Sequence, residues 1–222
     1  MDLKQILYPK SIAEATKIQL YLRSQLILRP LEKKPAIIAA ADSAFSDNLV
    51  LAAVCVFSFP QLELLETATV KAPLNFPYRS GYLSFCEGPA IYRALAGLKN
   101  SPDLLILDGQ GIAHPRRLGL ATFMGIVTGI PSIGCAKSLL VGTYKEPDIE
   151  KGSYSEIYHR GEIVGYALRT RRGVRPIFVS PGHLIDLQDS LQIIKNCPSS
   201  YRLPEPQRQA HQLTQKIKLL NQ

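Results

Sequence analysis

The sequence predicts a single α/β domain built on a mixed sheet, in which three antiparallel strands are followed by parallel strands. Of its 222 residues, 46% are hydrophobic, so one sizeable core is possible, and we expect residues 1–222 to form one domain. Short turns between the first three apolar runs indicate antiparallel neighbours. A later succession of strand, helix and strand indicates parallel pairing, because a crossover connects parallel strands.

The elements of the first half follow from local signals. Ser11 and Glu14 have the form of a helix capping box, and apolar residues then recur at helical spacing. We therefore expect a helix over residues 12–28 that Pro30 and Pro35 end. Three strands come next, separated by turn residues: Ala36–Phe45, Leu49–Phe59 and Glu63–Lys71.

The second half alternates helices and strands. Gly88 and Pro89 are expected to open a helix that runs to about Leu98, and the aliphatic run Leu104–Leu107 is the next strand. The remaining elements are a helix at Leu118–Thr128, strands at Pro131–Ala136, Glu156–His159, Ile163–Arg169 and Pro176–Val179, and helices near Asp186–Lys195 and Glu205–Leu220. This order predicts a ribonuclease H-like mixed sheet flanked by helices.

Three carboxylates fall where that arrangement brings residues to one edge of the sheet. Asp42 lies on the first strand, Glu87 at the first inner helix, and Asp108 directly after the fourth strand. Carboxylates that meet repel one another unless a cation lies among them, and oxygen ligands suit Mg²⁺ or Mn²⁺. The pattern favours metal-assisted phosphodiester hydrolysis. Taken singly, the same residues could instead cap a turn, cap a helix and satisfy loop amides.

Three cationic or titratable residues are candidates for the same site. Lys137 follows the short strand beside Asp108, so its ammonium could offset phosphate charge or be solvated. His114 follows the turn after Asp108 and could contact a phosphate or brace the loop. For His211, which is one position off the apolar stripe of the last helix, spacing alone favours a structural role at the helix boundary.

The aromatic turn from Asn75 to Gly81 precedes Glu87 directly. Tyr78, held by Pro77, could stack on bases or wedge between them, and the alternative is an aromatic lid on the core. The turn after Asp108 matches no phosphate-binding glycine motif, so a nucleotide cofactor is disfavoured. A basic run could follow a nucleic-acid backbone or form a solvated turn; it comprises Arg169, Arg171, Arg172 and Arg175.

Composition narrows the class of protein. A net charge of +8 favours a polyanionic partner, because cationic side chains release the counterions of nucleic acids. The four cysteines form no C-x-x-C pair, which indicates reduced core residues. No signal-peptide pattern or membrane-length apolar run is found, so we expect a soluble, cytoplasmic monomer without membrane partners.

Several short motifs follow one another over nearly the whole chain. They are Asp42-Ser-Ala-Phe45, Phe76-Pro-Tyr78 with Gly81, Leu83-Ser-Phe85-Cys-Glu87-Gly-Pro89, Asp108-Gly-Gln-Gly111 with His114-Pro-Arg116, Ile133-Gly-Cys-Ala-Lys137, and Phe178-Val-Ser-Pro-Gly-His183. Together and in this order, they resemble the endonuclease V family of deoxyinosine 3′-endonucleases. The resemblance implies a Mg²⁺-dependent repair nuclease, in which Mn²⁺ can substitute. It implies recognition of hypoxanthine in DNA and hydrolysis of the second phosphodiester on its 3′ side, leaving 3′-hydroxyl and 5′-phosphate ends.

The resemblance also assigns roles to residues. Asp42 and Asp108 would hold the metal, Glu87 would complete the acidic site, and Lys137 and His211 would assist at the phosphate or the water. On the substrate side, Tyr78 would be the wedge beside the extruded base. The base pocket would be lined by Leu83, Gly109 and Gly111, and His114 is a further substrate-binding candidate.

Three departures from the family pattern bear on substrate preference. Arg79 and Ser80 follow the wedge tyrosine where many bacterial members have Ile-Pro, and a Ser there also occurs in members that act on inosine-containing RNA. Phe123 replaces a common His, and Cys135 a common Val. An inosine-specific endoribonuclease, a ribonuclease H-like nuclease of other specificity, and a nucleic-acid-binding module without catalysis stay open as alternatives.

Overall fold

A computed structural model describes residues 1–198 and 200–220 of the chain. Nine strands form one mixed sheet in the order β3-β2-β1-β4-β5-β9-β8-β7-β6. The strands are β1 (Ile37–Ser46), β2 (Leu49–Ser58), β3 (Leu64–Pro73), β4 (Leu104–Leu107), β5 (Ser132–Ala136), β6 (Thr143–Tyr144), β7 (Tyr154–His159), β8 (Glu162–Leu168) and β9 (Ile177–His183). The helices are α1 (Leu3–Leu7), α2 (Ile12–Arg23), α3 (Leu83–Ala96), α4 (Leu120–Thr128), α5 (Leu187–Lys195) and α6 (Glu205–Leu219).

The pairing confirms the predicted mixed α/β fold. β1 pairs antiparallel with β2 and β2 with β3, whereas β1, β4 and β5 are parallel neighbours. β9 pairs antiparallel with β5 on one side and with β8 on the other. Because β1 and β4 run in the same direction, the residues at their carboxyl ends meet at one edge of the sheet.

Side-chain alternation along β1 and β4 divides the core between the two faces of the sheet. Ala39, Ala41, Leu105 and Leu107 pack on the face covered by α3 and α4. The alternate residues of both strands pack on the face covered by α5 and α6; they are Ile38, Ala40, Leu104 and Ile106. The period of two continues past these residues, so it directs Asp42 and Asp108 toward the α6 face.

Two helix boundaries differ clearly from expectation. α2 ends at Arg23 rather than near residue 28, before either proline. Its Ser11 side chain accepts the hydrogen bond from the Glu14 amide, as a capping residue does. α3 begins at Leu83, so Gly88 and Pro89 are interior residues and not its start.

Gly88 has a packing role rather than a capping one. A Cβ at this position would lie 2.9 Å from Cε1 of Phe123, so only glycine allows α3 and α4 to approach this closely. Phe123 is fully buried and makes an edge-on contact with Phe85, with ring centroids 5.4 Å apart. Phe123, which replaces a common His of the family, therefore fills the core between α3 and α4.

Candidate active site

The carboxylates of Asp42 and Asp108 lie side by side at the carboxyl ends of β1 and β4. The register pairs Ala41 with Leu107, and the Asp108 amide donates to the Ala41 carbonyl at 3.2 Å. Asp42 is 5% exposed. Its Oδ2 atom lies 3.0 Å from His211 Nδ1 and 2.5 Å from Thr214 Oγ1, both on α6. The last helix therefore anchors the first carboxylate.

α6 presents a polar stripe to the sheet, which the apolar spacing did not reveal. Gln207, Ala210 and Thr214 are fully buried, and His211 shares their face. Leu220, the last residue of the predicted helix, is 75% exposed. The spacing of 207, 210, 211 and 214 is itself that of one helix face, so it was the signal that could have identified Thr214.

Asp108 is held from its other side by Lys137. The Lys137 ammonium lies 2.5 Å from Asp108 Oδ2, directly after β5, as the predicted neighbouring strand places it. Burial raises the pKa of Asp108 above its usual range; Lys137 opposes this rise and Asp42 adds to it. The site therefore holds more negative charge than its one lysine offsets.

Glu87 approaches the same edge from α3, on the opposite face of the sheet. It is 8% exposed. Burial raises its pKa to about 8, and the charges of Asp42 and Asp108 contribute to the rise. A carboxyl held protonated beside two other carboxyls is typical of a site that receives a cation or a proton.

Asp42, Asp108 and His211 form the group best placed to hold a metal ion. One ligand atom from each residue lies within 4.8 Å of the other two. Two carboxylate oxygens and an imidazole nitrogen suit a divalent cation such as Mn²⁺, and the carboxylates suit Mg²⁺. The negative charge of Asp42 and Asp108, which Lys137 offsets only in part, also fits a cation at this point.

A cleft of about 330 Å³ opens beside the carboxylates. Its walls include most of the predicted site residues: Asp42, Tyr78, Leu83, Glu87, Asp108, Gly109, His114 and Lys137. Further lining residues that the sequence did not indicate come from the loop after β5, among them Ser138, Leu139 and Leu140. Gln110 holds this loop in position, because its side-chain amide donates a hydrogen bond to the Ser138 carbonyl at 2.8 Å.

Gly111 lies behind the cleft instead of lining it, contrary to expectation. Its amide donates to Ser180 Oγ at 2.8 Å, and a Cβ would lie 2.0 Å from the Pro181 carbonyl oxygen. Glycine is thus required for the loop after β4 to pack against β9. Gly109, two residues earlier, does line the cleft.

His114 lines the cleft but uses both ring nitrogens within the protein. Nδ1 accepts from the Arg116 amide at 3.2 Å, which leaves Nε2 to donate to the Gly81 carbonyl at 3.1 Å. Burial lowers its pKa to about 4, with the nearby Arg116 contributing, so the neutral ring is favoured. Of the two interpretations, this geometry supports the loop brace over the phosphate contact.

The aromatic turn divides between the core and solvent. Phe76 is buried and packs against Phe85 and Tyr82. Tyr78 is 68% exposed at the mouth of the cleft, and only the edge of its ring meets Phe45, with centroids 6.1 Å apart. The turn is therefore fixed in the core through Phe76 and presents the ring of Tyr78 to solvent.

The basic run has two kinds of arginine. Arg169 is buried, bonds to the carbonyls of Pro147 and Asp148 at 2.7 and 2.6 Å, and pairs with Glu146. It supports the loop before β7. Arg171, Arg172 and Arg175 are exposed, and Arg172 pairs with Glu150 at 3.1 Å, so either alternative fits these three residues. All four cysteines are buried and free.

A mixed sheet with acids clustered where β1 and β4 end is the arrangement typical of ribonuclease H-like nucleases. Comparison with known proteins narrows this class. The family model for endonuclease V matches residues 21–212, so the chain belongs to the endonuclease V family. Within the described part of the chain, no helix is long and apolar enough to cross a membrane.

Several known proteins are similar to this chain over almost its full length. The endonuclease V of Dictyoglomus turgidum is 50% identical over 198 residues, covering 89% of this chain and 87% of that protein. The crystal structure of the endonuclease V of Streptomyces avermitilis is 36% identical, with a TM-score of 0.91 and 97% and 96% of the two chains covered. A third similar protein, the endonuclease V of Ciona intestinalis, was crystallised with a 24-mer DNA containing an inosine followed by a ribo-adenosine. It is 28% identical, with a TM-score of 0.85 and coverage of 95% and 99%.

Proposed function

We propose that this protein is a divalent-metal-dependent endonuclease that recognises deoxyinosine in DNA and hydrolyses the second phosphodiester bond on its 3′ side. The observation that carries the proposal is the convergence of Asp42, Glu87 and Asp108 beside a cleft that an exposed tyrosine borders. The Ciona relative, which binds inosine-containing DNA, shares this fold over nearly its whole length.

Asp42 and Asp108 would hold the metal, and His211 is placed to join them or to orient Asp42. A bound divalent cation would supply an activated water and stabilise charge on the phosphate and the leaving 3′ oxygen. Lys137 would offset the phosphate charge, because its ammonium already faces Asp108. Thr214 and His211 would keep the Asp42 carboxylate in one orientation.

The cleft also suits an extruded hypoxanthine. No side chain among the described residues caps the amino end of α3 or of α4, although the Ala121 amide of α4 donates to the Gln110 carbonyl at 3.0 Å. Leu83 and Leu120, the first residues of these helices, both line the cleft. The amides at the amino end of a helix favour a hydrogen-bond acceptor such as a keto oxygen. Hypoxanthine has a keto oxygen where adenine has an amine, so these amides would favour the deaminated base. Tyr78 would fill the gap in the duplex.

The direct test is nicking of a labelled duplex with one deoxyinosine in Mg²⁺, with product ends sized against a ladder. The matched controls are the same duplex with adenine, the reaction in EDTA, and Asp108→Ala. We expect one cut at the second bond 3′ to the lesion in the first reaction alone. Equal cutting of undamaged DNA, or unchanged activity of Asp108→Ala, would refute the proposal.

A second candidate is cleavage of inosine-containing RNA. It is favoured by the ribo-adenosine that follows the inosine in the DNA bound by the Ciona relative, and by Ser80 after the wedge. Matched DNA and RNA oligonucleotides of one sequence, each with one inosine, separate the two under single-turnover conditions. A faster rate on the RNA would reassign the main substrate without changing the proposed metal site.

A further inference from the structure

One backbone carbonyl accepts three side-chain hydrogen bonds at the end of the tyrosine turn. Gly81 O accepts from Gln19 Nε2 at 2.8 Å, Arg116 Nη2 at 2.9 Å and His114 Nε2 at 3.1 Å. Gly81 has a φ of +80°, the left-handed conformation that turns this carbonyl toward its donors. Three donors on one carbonyl exceed what satisfying a buried oxygen requires.

The donors come from two different parts of the chain and also hold one another. Gln19 is fully buried on α2, and its Oε1 accepts from Arg116 Nε at 2.5 Å. His114 and Arg116 belong to the loop that follows Asp108, and the Arg116 amide donates to the His114 ring. The network therefore joins the tyrosine turn to the loop that continues from a catalytic carboxylate.

A neighbouring pair of contacts fixes the next residue of the turn. The Arg116 guanidinium lies over the Tyr82 ring, 4.4 Å from its centroid. The Tyr82 hydroxyl lies 2.9 Å from Thr16 Oγ1, one helical turn from Gln19 on α2. α2 thus contacts the turn at two successive residues, although α2 contributes nothing to the lining of the cleft.

We propose that Gln19, Arg116 and His114 form a carbonyl clamp that positions the Tyr78 turn against the Asp108 loop. The clamp is a positioning device, because its members act through Gly81 and not on the substrate. Its effect on the reaction rests on the proposed inosine-directed function. By fixing the turn three residues after Tyr78, it would hold the tyrosine ring at one height over the cleft and lower the entropy lost when the ring enters DNA.

Gln19→Glu tests the clamp most sharply. The change keeps the side-chain shape and an acceptor for Arg116, but it replaces the donor to Gly81 O with a second acceptor. The chain contains no tryptophan, so Tyr78→Trp adds a single fluorescent reporter at the exposed position of the turn. In the protein alone, we expect Gln19→Glu to increase acrylamide quenching of this reporter and to lower its steady-state anisotropy.

The matched control is Ile194→Ala, which opens a cavity in the core on the other face of the sheet, far from the turn. It should reduce thermal stability without changing the quenching. Equal quenching of the reporter with and without Gln19→Glu would overturn the clamp. If Gln19→Glu fails to fold, Arg116→Lys serves instead, because it keeps the charge but cannot reach both Gln19 and Gly81.

Kinetics on the deoxyinosine duplex, with Tyr78 present, give the functional arm. We expect Gln19→Glu to raise KM about tenfold and to leave kcat within about twofold, since the acids and Lys137 are untouched. A fall in kcat with KM unchanged would overturn the positioning role. If the unaltered protein does not cut inosine substrates, the proposed function fails while the quenching result still decides the clamp.

Discussion

The two walls of the cleft are held in place by different forces. The acidic wall consists of buried side chains at the ends of β1 and β4, and charged or hydroxyl partners on α6 and after β5 fix their carboxylates. The tyrosine wall is a turn whose ring is mostly exposed and whose fixed points are backbone carbonyls. We propose that the first wall carries out the chemistry and that the second wall holds the substrate.

The two walls also differ in how they affect the stability of the folded protein. Carboxylates buried together raise each other's pKa, so the acidic wall is destabilising until a cation or proton arrives. The tyrosine wall carries no such charge, and its exposed ring can move without breaking the core. Substitutions in the two walls should therefore differ in kind.

The largest expected effect is that of Asp108→Asn. Removal of one metal-holding charge should lower kcat by at least roughly 10³-fold, since a bound metal supplies several kcal/mol of transition-state stabilisation. Folding should be preserved, because the amide has the shape of the carboxylate. Single-turnover nicking gives the rate, and circular dichroism checks the fold. A loss of less than tenfold would remove Asp108 from the proposed metal site.

Lys137→Met should have the next largest effect. The methionine keeps most of the side-chain length but removes the ammonium 2.5 Å from Asp108 Oδ2. We expect kcat to fall about 10²-fold, the usual effect of removing one electrostatic stabiliser, with little change in KM. Exposed Lys145, changed to methionine, is the matched control and should leave the rate unchanged.

Glu87→Gln should stabilise the protein at alkaline pH. The folded state raises the pKa of Glu87 to about 8, so it binds a proton that the unfolded state loses near the ordinary value of 4.5. Stability is therefore lost as pH rises from the ordinary value through 8, and the neutral amide avoids that loss. Without divalent metal, urea unfolding at pH 9 should show a gain of roughly 2–5 kcal/mol in the free energy of unfolding. At pH 4 the two proteins should be alike, and equal stability at pH 9 would contradict the assigned burial.

Tyr78→Ala should have the smallest effect and one of a different type. Loss of an aromatic ring that stacks with a base weakens binding by about 1–3 kcal/mol, so we expect KM to rise roughly tenfold or more. The kcat at saturating substrate should change by less than about threefold. Tyr78→Phe should restore the KM of the unaltered protein, because the ring and not the hydroxyl would contact the base.

The sequence predicted the sheet well because its strands are strongly apolar and its turns are short. The predicted helix boundaries were less accurate, because tertiary contacts decide where these helices begin and end. Gly88 and Pro89 were taken for a helix start, whereas Gly88 is an interior residue that allows Phe123 to pack. α2 ends at Arg23, five residues before its expected end at residue 28.

The same limit applies to the site. Asp42, Glu87 and Asp108 could be predicted together because the fold order places strand ends at one edge. Thr214 and Gln19 were missed, because each is a buried polar residue on a helix and apolar periodicity does not include such residues. Their partners lie far away in sequence, at Asp42 and Gly81, and only the folded chain brings them together.

The most direct test of the division between the two walls is one steady-state titration of a deoxyinosine duplex against Asp108→Asn and Tyr78→Ala, in parallel with the unaltered protein. Our account predicts that Asp108→Asn loses kcat at nearly constant KM, while Tyr78→Ala raises KM at nearly constant kcat. Loss of kcat in Tyr78→Ala as large as that in Asp108→Asn would contradict it.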